Sequence, residues 1–246
     1  DASKSAQSEL TTTAEAVYGL ILAPASASQS GRPGELVTYT LTVTNTSNAA
    51  DTFTVAVSGN VWTTSAPTTV GPVAAGASAT FQVVVTVPAN ALAGASDTAT
   101  VTVTSQGDAS KSAQSELTTT AEAVYGLILA PASASQSGRP GELVTYTLTV
   151  TNTSNAQDTY TVAVSGNAWT TSAPTTVGPV AAGASATFQV VVTIPTGVTG
   201  ADTDTATVTV TSQTDSTRTA QATLTTRRVL YRLFLPLVTR NYAPGP

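Results

Sequence analysis

The chain has 246 residues, with fourteen acidic and nine basic side chains, a net charge of −5, and only 9 % charged residues. An ordinary globular protein carries roughly 25 %, so Thr and Ser replace the usual surface charge, a composition that favours extended strands. Cys, Met and His are absent, which excludes disulfides, thiolate nucleophiles, His–Cys zinc sites and imidazole bases.

Repetition organises the chain. Residues 1–49 recur without change at 108–156, and the offset of 107 holds as far as Gly107 and Thr214. Copies 1–107 and 108–214 differ at thirteen positions, eight of them consecutive at 89–96 against 196–203, directly after a proline. Such clustering marks a surface loop.

In chain order, DASKSAQSELTTT at 1–13 reads as the closing strand of a sandwich with no sandwich in front of it, Leu10 being its large apolar residue. VYGLILAP at 17–24 reads as a first strand. In LVTYTLTVTN, Val37, Tyr39, Leu41 and Val43 alternate with threonines; Phe53, Val55 and Val57 share a face of DTFTVAVSG. Phe81, Val83, Val85 and Val87 do the same before Pro88, which stops the strand, and Ala99, Val101 and Val103 point inward from DTATVTVTSQ. GRPGE, NTSNAAD and VAAGASA supply turns between the runs. Gly107-Asp108 is read as a hairpin turn into the last strand, with Ala113, Ser115 and Leu117 inward.

About seven short alternating strands per unit predict an all-β chain of two tandem antiparallel β-sandwich domains, with extra strand-like segments at both ends. The expected boundaries are an N-terminal segment 1–16, sandwiches 17–120 and 121–226, and a basic apolar tail 227–246. Trp62 and Trp169, one per unit after a Ser-Gly-Asn turn, are expected in the core or at the sandwich edge, with a sugar-stacking platform as the competing role.

The stretches GELVTYTLTVTNTSNAADTFTVAVSG, VGPVAAGASATFQVVVTVP and DTATVTVTSQGD, with their second copies, resemble the Ig-like repeat domains of bacterial and archaeal surface proteins, the NEW3-like and DUF11-like group. The resemblance covers almost all of residues 17–226. It implies a sandwich fold and the roles such domains serve: spacers, stalks, adhesin repeats and enzyme appendages. Fold by itself does not choose among them.

Catalytic groups are lacking. The acids are scattered, and Lys4 and Lys111 lie in the polar SKSAQ segment, where nothing lowers a lysine pKa for a Ser–Lys dyad or buries it for an isopeptide bond. The chain is therefore read as no enzyme, without a cofactor and with no catalytic or metal residue assigned. Asp202 and Asp204 in GADTDT are hard ligands of the kind calcium takes, but the first copy has Ala95 and Asp97 there and no EF-hand spacing appears. Asn45 and Asn152 begin Asn-Thr-Ser sequons, making glycosylation an expectation at both, and the Thr rows suit O-linked sugars.

The last twenty residues hold Arg227, Arg228, Arg232 and Arg240 and no acid, whereas the preceding 226 hold five basic and fourteen acidic groups, 5 − 14 = −9. An acidic body has no nucleic-acid face. A cationic tail on it favours docking to a sister molecule. Tyr231, Leu233, Phe234, Leu235, Leu237 and Val238 form an apolar strand that needs cover. At ~25 cal/mol per Å², burying several such side chains contributes several kcal/mol. No apolar run reaches the ~20 residues of a membrane helix. Lack of Cys and Met suits an oxidising, extracellular or cell-surface location; with no leader present, Asp1 is read as a mature or an internal boundary.

The leading functional expectation is a subunit of an extracellular filament, a homopolymer joined head to tail through its terminal strands, with glycans as a second partner class. The alternatives are a spacer or adhesin stalk within a longer repeat protein, and a carbohydrate-binding accessory module. The assembly residues expected are Leu10, Tyr231, Leu233, Phe234, Leu235, Leu237 and Val238, with Arg227, Arg228, Arg232 and Arg240.

Overall fold

The computed structural model describes residues 4–197 and 202–229, which contain strands and no helix. The chain divides into two compact units between Val124 and Tyr125. The first is built from β1 (Leu20–Ala23), β2 (Ser26–Gly31), β3 (Leu36–Asn45), β4 (Asp51–Ser58), β5 (Thr64–Ser65), β6 (Thr69–Val73), β7 (Ser78–Thr86), β8 (Ser96–Ser105) and β9 (Ser112–Ala121). The second repeats the plan with β10 (Leu127–Ala130), β11 (Ser133–Gly138), β12 (Leu143–Asn152), β13 (Asp158–Ser165), β14 (Thr171–Ser172), β15 (Thr176–Val180), β16 (Ser185–Thr193), β17 (Thr203–Ser212) and β18 (Thr219–Arg228).

Each unit is a sandwich of two sheets. In the first the orders are β1-β3-β7-β5 and β2-β9-β8-β4-β6, and in the second β10-β12-β16-β14 and β11-β18-β17-β13-β15. Strands beyond the expected runs are short: β2 follows the expected first strand, of which β1 is the paired part, and β5 pairs for only two residues.

Alternation fixes which side chains line the core. In β3, Val37, Tyr39, Leu41 and Val43 are buried while Thr38 and Thr40 face out; Phe81, Val83 and Val85 of β7 and Ala99, Val101 and Val103 of β8 do likewise. Leu117 of β9 and Phe53 of β4 close the layer. The Tyr39 phenol spans the layers, donating to the Thr118 carbonyl at 2.7 Å and sharing a hydrogen bond with Thr119 Oγ1 at 2.9 Å. Tyr146 does this in the second sandwich with Thr225 and Thr226.

Pro24 follows β1, and the chain then crosses to the other sheet as β2. There it pairs with β9 in parallel, from Ser26↔Glu116 to Gly31↔Ala121. β1 reaches only Thr42–Asn45 of β3, and beyond it the Gln29 amide donates to the Thr38 carbonyl at 3.0 Å. The chain therefore enters at the proximal end, where Leu20 faces Asn45, and leaves at the distal end, where Ala121 lies beside Gly31.

The β4–β6 pairing shifts register between Asp51 and Phe53. Gly71 sits at this irregularity with φ +122°, and a Cβ there would lie 3.0 Å from both Asp51 O and Val73 N, so only glycine passes. Gly178 repeats the feature at φ +121°.

Residues 4–19 form no strand, and 4–17 are exposed. Yet the sequence of 4–14 is that of 111–121, which makes β9. The difference lies in the neighbours: β9 has β8 on one side and β2 on the other. A strand is stable only where its backbone groups are paired.

Candidate functional site

Among the described residues no catalytic constellation emerges, and the features that matter are the expected assembly and glycan residues and the polar groups buried in the sandwiches. Leu10 is 90 % exposed in the unpaired N-terminal segment. From Glu15 onward the chain is tied down: the Asn48 amide donates to Glu15 O, Val17 N donates to Asn48 Oδ1, and Thr46 N donates to Gly19 O. Arg227 is exposed at the end of β18. Tyr231, Arg232, Leu233, Phe234, Leu235, Leu237, Val238 and Arg240 lie outside the described residues.

Arg228 is only 4 % exposed. Its Nη2 pairs with Asp202 Oδ1 at 2.9 Å and its Nη1 donates to Gly197 O at 2.6 Å. The first sandwich has Ala121 and Ala95 at these positions. The two copies thus differ by a matched pair of charges, and Arg228 ties Gly197 and Asp202 to the end of β18. Residue 202 is the first carboxylate of GADTDT, so its partner is a guanidinium. The second, Asp204, is buried and accepts from Ala168 N at 2.8 Å and Trp169 N at 3.2 Å. Among the described residues no group of three or more His, Cys, Asp or Glu side chains is placed to hold a metal.

Asp97 does for Trp62 what Asp204 does for Trp169, accepting from Val61 N at 3.0 Å and Trp62 N at 2.9 Å. Both tryptophans are buried, Trp62 at 9 % exposure, so neither indole offers a stacking face to solvent. A second buried carboxylate, Asp51, accepts from Ser105 Oγ, Thr52 N and Gly107 N at the proximal end. In the second sandwich Asp158 accepts from Ser212, Thr159 and the Thr214 hydroxyl. The Tyr18 ring packs directly on Gly107, so a side chain there would displace the ring; the second sandwich has Thr214 at the equivalent position.

The sequon asparagines belong to this buried set. Asn45 is fully buried and its amide donates to Ala49 O and Val73 O, both at 2.9 Å. Asn152 is equally buried and donates to Ala156 O and Val180 O. Their role in the folded domain is to pin the 45–51 and 152–158 turns, and a glycan on either nitrogen requires these bonds to break. The sequence pattern missed these roles, because the partners that bury these groups include ones 28 and 56 residues away along the chain, Val73 for Asn45 and Gly107 for Asp51.

Titration distinguishes few groups. Asp108 and Asp215 in the hairpin turns are held below the ordinary carboxylate range by hydroxyl and backbone donors, from Ser110 and Thr217 respectively. Tyr160, which replaces Phe53, is pushed up to about 12 by burial and then by the charge of Asp158, with Ser154 offsetting in part.

Paired four- and five-stranded sheets, repeated once, define a tandem Ig-like β-sandwich protein. The chain belongs to the family described as the "IG-like fold at C-terminal of FixG", which matches it twice, over residues 38–120 and 145–227. No curated protein matches it. Similar solved structures include a protein of unknown function from Porphyromonas gingivalis W83, at 14 % identity and TM-score 0.34, covering 85 % of this chain and 99 % of that one. Domains EC1–3 of mouse clustered PcdhgC3 are 11 % identical with TM-score 0.47, over 86 % of this chain and 68 % of that one. The human desmocollin-1 ectodomain is 11 % identical with TM-score 0.42, over 87 % of this chain and 42 % of its own length.

Proposed function

We propose that this chain is a structural protein of the extracellular surface, whose tandem Ig-like sandwiches join further copies head to tail through terminal strands. One observation carries the reading: residues 4–14 have the sequence of β9, a central strand, yet make no hydrogen bond or ion pair among the described residues. A segment that folds as a strand only when flanked is suited to completing a sheet in another body. A contact between the front of one copy and the body of the next is heterologous and propagates as an open filament unless it closes. Arg227 and the basic, apolar residues 231–240 supply the second half of the junction, against acidic sandwiches. The absence of Cys and Met supports an extracellular location.

Sedimentation and negative-stain electron microscopy of the chain with and without residues 1–13 test this. Assembled species are expected from the full chain and not from the truncated one. Equal assembly by both removes strand donation.

The near-identity of the two sandwiches favours a second reading, a spacer within a longer array of the same repeat. In that case the chain stays monomeric at every concentration. A carbohydrate-binding role loses its support, because both tryptophans are buried.

A further inference from the structure

We infer that the acceptor of the N-terminal segment is the β9 position in the first sandwich of a second copy, and that the β18 position of the second sandwich is closed to it. This rests on the strand-donation reading above and names the site of donation.

The β9 position accepts the segment without change. Ser8, Leu10, Thr12 and Ala14 stand where β9 has Ser115, Leu117, Thr119 and Ala121, the four residues it buries. A donated segment therefore remakes the nine rungs with β8, from Ser96↔Thr120 to Thr104↔Ser112, and the six with β2. It also returns a hydroxyl to Tyr39, which Thr119 Oγ1 meets at 2.9 Å.

At β18 two of the four positions differ. Ala222 replaces Ser115, and Arg228 replaces Ala121. The Ser115 hydroxyl is buried without a hydrogen-bond partner, and an alanine carries no such group. Placing Ser8 against Val208, the partner of Ala222, would introduce that orphan hydroxyl into the second sandwich. It would also remove Arg228 from Asp202 and Gly197, the clasp that holds the distal end of β18. One last strand is thus duplicated, lacks the Arg228 clasp and carries a polar flaw. The other is unique, clasped and free of that flaw.

The donor has to be a second molecule. In its own sandwich, a segment filling the β9 position would place residue 14 at the distal end, while β1 begins at Leu20 at the proximal end. Those ends are separated by the ten residues of β3, about 33 Å at 3.3 Å per residue, and six residues extend to roughly 20 Å. Because donor and displaced strand are identical in sequence, the exchange leaves side-chain contacts unchanged, as in domain swapping. Its population rises with concentration toward the effective concentration of the tethered strand, on the order of mM.

A chain without cysteine allows a single-pair disulfide trap. Glu116 faces Thr100 across the β8–β9 ladder, so a donated segment places Glu9 opposite Thr100; at β18 the same residue would oppose Thr207, which faces Thr223. Full-length E9C is mixed with tagged T100C, T207C or Q82C, Gln82 being an exposed position of β7. The mixtures are incubated below the unfolding midpoint under mild oxidation, and each variant is first checked for an unchanged melting profile. The expected result is at least tenfold more mixed disulfide with T100C than with T207C or Q82C, increasing with concentration. Trapping chiefly at T207C overturns the β9 assignment while keeping strand donation. Trapping at neither above the Q82C background overturns both.

Discussion

Position 160 offers a measurement with an internal control, because the first sandwich carries Phe53 in the equivalent place and buries it as completely. The Tyr160 hydroxyl is buried and makes no hydrogen bond; the nearby Ser154 hydroxyl is donated to Gly126 O. An unpartnered buried hydroxyl costs about 1–3 kcal/mol, so Tyr160→Phe is expected to stabilise the second sandwich by that amount at neutral pH. In a domain of about 100 residues each kcal/mol moves the melting midpoint by roughly 4–8 °C. The same phenol also makes the second sandwich alkali-sensitive. Free tyrosine ionises near 10, and Tyr160 only near about 12. Between these values the unfolded chain has released a proton that the folded chain still holds. Stability present below pH 10 therefore falls as pH rises, by roughly 1.4 kcal/mol per unit, or about 2.7 kcal/mol across the window. The assay is urea unfolding at pH 7, 10 and 11.5 followed by Trp169 fluorescence in a Trp62→Phe background. If Tyr160→Phe leaves the midpoint unmoved or lowers it, the hydroxyl has a partner and the reasoning fails. The converse Phe53→Tyr, followed through Trp62, should import both the penalty and the alkaline sensitivity.

Asp97→Ala strips the acceptor from two backbone N–H groups and is expected to cost the first sandwich about 3 kcal/mol, read by calorimetry; Asp204→Ala should do the same to the second. Arg228→Ala should cost about 1–2 kcal/mol, a modest figure because Asp202 is largely exposed. The Arg228→Ala/Asp202→Ala pair places alanine at both positions, as in the first sandwich, and a double-mutant cycle with the two single variants should show a coupling of about 1 kcal/mol or less. Gly178→Ala forces a Cβ to within 3.1 Å of Asp158 O at φ +121° and is expected to cost about 3 kcal/mol, seen as a lowered urea midpoint of the second sandwich alone. Calcium or chelator should leave both melting midpoints where they are, since Asp202 and Asp204 already have protein partners.

Period-two alternation made the large strands readable. The inward residues of LVTYTLTVTN, ATFQVVVTVP and DTATVTVTSQ, and the turn at Gly107-Asp108, all follow from residues a few positions apart. What alternation does not encode is pairing between distant segments. The polar run SASQSG has no strand signature, and becomes β2 only because β9 lies beside it. The sequon at Asn45 reads as a surface loop, whereas its side chain is bound to carbonyls at positions 49 and 73. Asp97 reads as one acid among many in turns and proves to be the anchor of the Trp62 turn. The N-terminal segment is the opposite case, a strand sequence left without a strand's neighbours.

The parallel pairing of β2 with β9 has a mechanical consequence. Tension applied along the chain pulls each sandwich by the segment entering at its proximal end and the segment leaving at its distal end. β2 and β9 are then drawn lengthwise in opposite directions, so the six rungs from Ser26↔Glu116 to Gly31↔Ala121 share the load in shear and cannot peel open one at a time. β11 and β18 form the same six-rung clamp in the second sandwich, from Ser133↔Thr223 to Gly138↔Arg228. Resistance to pulling is thus concentrated in the polar strand SASQSG, whose side chains add almost nothing to the core.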